Sequence, residues 1–333
     1  MKTLCLATMA VLLLAGGLSG SPAGNPPRLE RFQFQHPAMG TLFSITLYAT
    51  NALRAREAAD AAFARVGALE EMMTDYDAES ELMRLCQQPA GRPVPVSPEL
   101  FAVLAEARRV AELSDGALDP TVGPLVRLWR RARRTQTLPT AEQLARAHAA
   151  VGWRKLGLDA AQQTVTLLAT NMQLDLGSIA KGYAADAALA VLRQHGLPRA
   201  LIAASGDIAV GDAPPGQAGW RVSIGTPFRS AGAARTLVLT NAAVSTAGDT
   251  EQFVVIGGIR YSHIVDPRTG MGLTNRCQVS VIAAHATQSD AFDTAASILG
   301  MAAGRRLIAS QPGLAAIIYQ ETASGVEMLE VNR

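Results

Sequence analysis

The sequence is poor in groups that react, stack or carry a strong field. Three cysteines occur in 333 residues, aromatics make up 5%, and the net charge is +2. A balance so close to neutral excludes a global basic field for nucleic acid. The scarcity of aromatics argues against base-stacking platforms. No CxxC occurs and no histidine stands close to a cysteine, so a zinc centre is not expected. Cys86 and Cys277 read as two separate small buried residues rather than a disulfide framework. A Walker A loop, GxxxxGK[ST], is also absent. The one long apolar run is Leu4–Ala15, which follows Lys2 and precedes small residues. That is the pattern of a secretory signal, too short and too near the terminus for a membrane span. No cysteine follows "LLLAGG", so lipid attachment is not expected. The expectation is an exported, soluble, periplasmic protein, with residues 1–23 as signal peptide (cleaved between Gly17 and Gly24) and 24–33 as a flexible leader. Retention at the membrane by an uncleaved signal is the alternative.

What is present is core. Hydrophobic residues are 49% of the chain, enough for one large domain or two ordinary ones. "FQFQHPAMGTLFSITLYAT" predicts two strands around His36–Gly40. Helical periodicity follows in "AREAADAAFARVGALEEMM", in the segment opened by Ser97-Pro98 and stopped at Gly116, and in "LPTAEQLARAHAAVG". "ALDPTVGPLVRLWRRARR" reads as a loop feeding a helix whose Arg130–Arg134 cluster is a solvated end, since a helix C-terminus favours cations. "QTVTLLATNMQLDL" suggests a hairpin around Thr170–Asn171. Strand-like runs dominate from Gly219 onward, interrupted by the helix "SDAFDTAASILG". Helices early and strands late imply an α+β fold with mixed or antiparallel sheets and no internal linker, a single domain over 34–333.

Four stretches carry chemistry. In "LDLGSIAKGYAAD" an apolar strand turns at Gly177 into a helix near Ser178. Free N–H groups at such a start attract phosphate, and a cation at Lys181 opposes the helix dipole, which points to an anion nearby; an exposed lysine on a plain turn is the alternative. "ASGDIAVG" offers either close backbone approach to a ligand or a tight turn with a solvated Asp207. "YSHIVDPRTG" sets His263 before an Asp266-Pro267 turn closed by Thr269-Gly270, and a lone histidine there is either catalytic or structural. In "HATQSDAFDTAASILG", Asp290, Asp293 and Thr294 share a helix face that Ser297 extends, with Phe292, Ala295, Ala296 and Leu299 opposite. Two carboxylates and a hydroxyl suit Mg²⁺. A capping box, Thr287 with Asp290, would explain Asp290 but not Asp293 beside it.

Taken in order, "MGT" (Met39–Thr41), "SDGALDPTVGPLVRLW", "DLGSIAKGYAAD", "ASGDI", "STAGD" (Ser245–Asp249), "YSHIVDPRTG" and "SDAFDTAASILG" resemble the FAD:protein FMN transferase family, the ApbE-type flavin transferases, over roughly residues 34–320. The resemblance implies cleavage of FAD at its pyrophosphate and transfer of FMN to a threonine or serine hydroxyl, with AMP released. The acceptor would be a subunit of a membrane redox complex carrying a Ser/Thr-Gly-Ala-Thr-like motif. It also implies that Met39, Tyr76, Ala117, Leu118, Asp119, Asp175, Lys181 and Ile264 contact FAD. Ser178 (through its backbone carbonyl), Asp290, Asp293 and Thr294 would hold Mg²⁺, and His263 would act as base on the acceptor hydroxyl. Ser178 stands where the family commonly has Gly or Ala, and Thr250 where it commonly has an aromatic. Two other outcomes share these residues: a metal-dependent FAD pyrophosphatase, and a periplasmic flavin-binding protein without catalysis.

Overall fold

The computed structural model describes residues 28–226, 234–248 and 252–332. The expected signal peptide, Asp249 of the "STAGD" stretch and Thr250 after it lie outside the described residues. The central element is an eight-stranded sheet in the order β1-β2-β6-β7-β10-β13-β14-β15, closed by β14 (Ala315–Thr322) and β15 (Gly325–Val331), and all its ladders are antiparallel. β1 (Glu30–Ala38) and β2 (Thr41–Ala49) form its first hairpin through Met39-Gly40, both at positive φ. Glu30–Gln33, expected in the leader, are therefore already strand. Phe32 and Phe34 alternate with polar residues and pack on the core, which fixes the pairing of Glu30 with Ala49.

Helices α1 (Ala52–Met73), α6 (Ala180–Gln194) and α7 (Ala286–Ala309) cover one face of this sheet. On the other face lies the hairpin of β8 (Trp220–Ile224) and β9 (Arg235–Leu239), whose Val222, Ile224 and Leu237 pack with Val244, Ile317 and Tyr319. The helix starts follow the sequence closely. Asn51 accepts from the Arg54 N–H, and Ser97 caps α3 (Pro98–Leu113) with Pro98 in its first turn. Thr140 and Gln143 make a full capping box on α5 (Ala141–Ala149).

One expectation is corrected here. β5 (Thr164–Leu167) does not turn back at Thr170–Asn171; it pairs with β4 (Leu156–Asp159) upstream and with β3 (Pro93–Pro95). The segment after Asn171 leaves instead toward α6, so its apolar run is buried helix-feeding loop. The expected helix end at Gly300 holds, since the backbone there leaves the helical region. With φ 72° and ψ 176° it breaks α7, and a second helical segment follows as far as Ala309. Asn241, at φ 46°, hands the chain from β9 to β10 (Ala242–Gly248).

A smaller core joins α4 (Gly123–Thr135) and α5 to the hairpin of β11 (Phe253–Ile256) and β12 (Ile259–Ser262). Trp129, Leu125, Val254, Tyr261 and Val265 meet there. The register gathers the chemistry at one end of the main sheet. Phe43 pairs with Ala204 beside the β6–β7 turn, and β6 and β7 run Ala200–Ala204 and Asp207–Val210. The Thr246 N–H bonds the Gly206 carbonyl, and Gly248 faces Gln278 on β13 (Cys277–Ala283). The Met39-Gly40 turn, Asp207 and the stretch leading to His263 therefore share that end. Cys86 and Cys277 are not joined in a disulfide; Cys277 is buried as expected, and Cys86 is half-buried.

Candidate active site

Lys181 lies in the first turn of α6, and the anions it answers are carboxylates. Its ammonium is 2.5 Å from Asp207 and 3.7 Å from Asp290. Burial works against its charge, but Asp290, Asp207 and Asp293 outweigh burial and hold the lysine protonated, well above its usual range. One oxygen from each of Asp207, Asp290 and Asp293 lies within 4.8 Å of the others, and all three residues are buried. Burial first, then mutual repulsion, raises the carboxyls of Asp290 and Asp293 above the usual carboxylate range. Asp290 also accepts the Gly182 N–H at 2.8 Å, and the Thr294 hydroxyl donates to Asp293 at 3.2 Å.

The helix face was expected to be polar against an apolar opposite side. Both sides are buried: Asp290, Asp293 and Ser297 as completely as Phe292, Ala295 and Ala296. The capping-box alternative is corrected as well. α7 starts after His285, and its first N–H groups at Ala286 and Thr287 are taken by the Asp186 carboxylate from α6, each at 2.9 Å. The Thr287 hydroxyl also donates to Asp186. That frees Asp290 to face α6. The alternative of a solvated Asp207 fails too, since its residue is 3% exposed.

The crossing of α6 on α7 depends on Gly182. A Cβ there would lie 2.2 Å from the Ala286 carbonyl oxygen and 2.8 Å from the Asp290 Cβ. Gly182→Ala is therefore expected to destabilise the fold by at least ~1–3 kcal/mol, the usual range for overpacking. A thermal melt against the unaltered chain checks this; an unchanged melting temperature would refute the close crossing.

A second group of side chains adjoins this one through the short turn between Asp175 and Lys181. Asp175 accepts from the Gly177 N–H at 2.9 Å and from Arg130 at 3.2 Å. Burial, then the charge of Asp75, raises its carboxyl. Arg130 was expected on a solvated helix end; it instead turns inward to Asp75 and Asp175, while Arg131, Arg133 and Arg134 are exposed. Tyr76, 80% exposed, presents its ring to the Arg130 guanidinium, 4.4 Å from the ring centroid.

The turn Asp266–Gly270 closes with the Gly270 N–H on the Asp266 carbonyl at 2.8 Å. Asp266 and Arg268 bind each other through two 2.9 Å contacts, so their charges are spent within the turn. Trp129 of α4 anchors it by donating to the Gly270 carbonyl at 2.8 Å. His263 follows β12. Its N–H and its Nδ1 both meet the Gln252 carbonyl, at 3.0 and 3.1 Å. A carbonyl only accepts, so the neutral tautomer making this contact carries its proton on Nδ1 and its lone pair on Nε2. Ile264 is half-buried, its N–H on the Ser262 hydroxyl.

Comparison with known proteins gives one answer. Residues 39–318 match the ApbE family. The chain belongs to that family. It is 30% identical over 331 residues to the FAD:protein FMN transferase of Salmonella typhimurium, covering 97% of this chain and 93% of the relative. It is 30% identical over 297 residues to that of Escherichia coli K12, covering 86% and 83%. The structure of the flavin transferase ApbE from Vibrio cholerae superposes with a TM-score of 0.83 at 26% identity, over 92% of this chain and 98% of that one. The α+β reading and the family resemblance hold.

Within this family member the expected site residues fall into distinct settings. Asp290, Asp293 and Lys181 are brought together, with Thr294 attached to Asp293. Ser178 sits half-buried in the turn before α6. Met39 occupies the strained position of the β1–β2 turn at φ 49°. Ala117, Leu118 and Asp119 are buried, and the Asp119 carboxylate is filled by the Thr121 N–H and hydroxyl and the Trp153 N–H, at 2.8, 2.6 and 2.8 Å. Its side chain thus shapes the loop, leaving backbone atoms for any ligand. Two residues were missed as site members. Asp207 could have been found from "ASGD", where a carboxylate follows two small residues. Arg130 left no local signal, because its partners lie 55 and 45 positions away.

Proposed function

We propose that this chain is an exported FAD:protein FMN transferase that moves FMN from FAD to a threonine or serine hydroxyl of an acceptor protein and releases AMP. The observation that carries the reading is the buried cluster of Asp207, Asp290 and Asp293 around Lys181, set in a chain that matches the family over residues 39–318. Three buried carboxylates with one lysine shed their excess negative charge either by taking up protons or by binding a cation. The donors are all hard oxygens, and this set suits Mg²⁺. Asp290, Asp293 and Asp207, with the Thr294 hydroxyl and the Ser178 carbonyl, would hold it. When bound, such an ion offsets the charge of the pyrophosphate and of the departing phosphate.

The chain's own residues do the rest by positioning and by proton transfer. Lys181, held protonated, supplies a fixed positive charge beside the pyrophosphate. Met39, Tyr76, the backbone of Ala117–Asp119, Asp175 and Ile264 orient the FAD. The His263 Nε2 lone pair takes the proton of the acceptor hydroxyl as its oxygen attacks the FMN phosphorus. The new O–P bond forms as the P–O bond to AMP breaks, and AMP leaves with that electron pair.

The acceptor is read as a redox-complex subunit with a Ser/Thr-Gly-Ala-Thr-like motif. Incubation with FAD, Mg²⁺ and such a subunit, followed by a denaturing gel read for flavin fluorescence, tests the whole reading. A fluorescent acceptor band that needs FAD and Mg²⁺ is expected. Free FMN and AMP without a labelled acceptor would make the protein a hydrolase; intact bound FAD would make it a carrier.

A further inference from the structure

A cleft of about 800 Å³ between Tyr183, Arg193 and His285 has its Arg193 on the Asn241 amide oxygen and its Asp186 carboxylate on the first N–H groups of α7. The Asp75–Tyr76–Arg130–Asp175 group has not been given a role as a unit.

Tyr76 is 80% exposed, yet its ring rests at 4.4 Å on the Arg130 guanidinium. An aromatic ring this exposed ordinarily has no fixed orientation. The guanidinium beneath it is fixed from two directions, by Asp75 next to Tyr76 and by Asp175 at the head of the turn leading to Lys181. Both carboxylates are largely buried, with side-chain exposures of 13% and 12%, against 33% for Arg130. The side of the ring away from Arg130 is left to solvent. A planar cation with two carboxylate partners and an aromatic on its face is geometry that arginine supplies and lysine does not.

We infer that Arg130 is a positioning residue for FAD: it holds the Tyr76 ring as a prepared platform on which one planar ring of FAD stacks, and ties that platform to the Asp175–Lys181 turn. This rests on the proposed function only in taking FAD as the ligand. Two consequences follow physically. The ring need not be ordered when ligand arrives, so affinity rather than chemistry depends on Arg130. Arg130 also keeps Asp75 and Asp175 from presenting two uncompensated carboxylates to a dianionic pyrophosphate.

The test measures FAD affinity by flavin fluorescence, and steady-state FMN transfer, for Arg130→Gln, Arg130→Lys, Tyr76→Ala and the Gln/Ala double variant. Arg130→Gln is expected to weaken FAD binding about tenfold, the loss falling on KM for FAD rather than on kcat. Arg130→Lys should recover only part of the affinity. The double variant should bind no worse than the poorer single one, since both remove one platform. Comparing FMN with AMP as ligands shows which ring stacks, because only one should lose affinity in Arg130→Gln. Unchanged FAD affinity in Arg130→Gln, or additive losses in the double variant, would overturn the inference. A purely structural role would lower the melting temperature and depress KM and kcat effects together. FAD binding without FMN transfer by the unaltered chain would overturn the proposed function and leave this inference standing on the affinities.

Discussion

Asp290→Asn is expected to cut FMN transfer by at least ~100-fold, while the metal-free protein melts higher than the unaltered chain. The amide keeps the shape, and its oxygen can still accept the Gly182 N–H. What would be lost is one anionic ligand of the proposed metal site, where a divalent ion would supply several kcal/mol of charge stabilisation, each 1.36 kcal/mol being tenfold in rate. Raised Mg²⁺ should restore part of the rate. The stability side follows from the titration of the buried carboxyls. The folded-state pKa of Asp290 is pushed up to about 7 by burial and by Asp207, against about 3.9 in an unfolded chain. The folded state therefore binds more protons between those values, and without metal the unaltered chain loses stability as pH rises through that window. The advantage of Asp290→Asn should be present in chelator at pH 8 and shrink toward pH 4. Melts across pH in chelator, with an Mg²⁺ titration of transfer, check both halves. Coincident titrations at full activity would remove this helix face from the metal site.

His263→Ala is expected to slow transfer by ~10²–10⁴-fold, the usual range for loss of a general base, with FAD affinity held. The backbone contact from the His263 N–H to Gln252 survives the substitution, so the strand end stays in place. The ring bond from Nδ1 to the same carbonyl does not. Gln at 263 keeps a donor of similar reach but no basic nitrogen, and should be as slow as Ala. If Gln restored the rate, the histidine would be holding the strand rather than taking a proton. Equal transfer rates in Ala and unaltered protein would exclude His263 from the mechanism, and lost FAD binding would make it a ligand-binding residue.

What could be read in the sequence was what local rules govern. Ser97-Pro98 and Thr140…Gln143 announced helix starts because capping is a contact between residues three apart. Gly270 announced its turn because the backbone there takes φ 73°. Asp290 and Asp293 could be paired because helical spacing alone puts them on one face. The misreadings at Thr287 and Arg130 were long-range. Thr287 looked like a cap for its own helix until Asp186, 100 residues upstream, took the Ala286 N–H. Arg130 looked solvated because Asp75 and Asp175 are adjacent to it only in the fold. The apolar run after Asn171 resembled a hairpin arm because burial erases the periodicity that would separate strand from loop.

The site's cluster has a consequence for how the protein matures. Lys181 is on α6, Asp207 opens β7, and Asp290 and Asp293 are on α7; the Gly182–Asp290 contact alone closes a loop of 108 residues. No short segment of the chain holds more than two of the carboxylates. A chain not yet folded thus has little to offer a divalent ion, and the ion cannot seed the structure. Closing so long a loop comes late for entropic reasons. Occupancy would register that α6 and α7 have docked, and the ion would then hold shut a structure whose own like charges resist assembly.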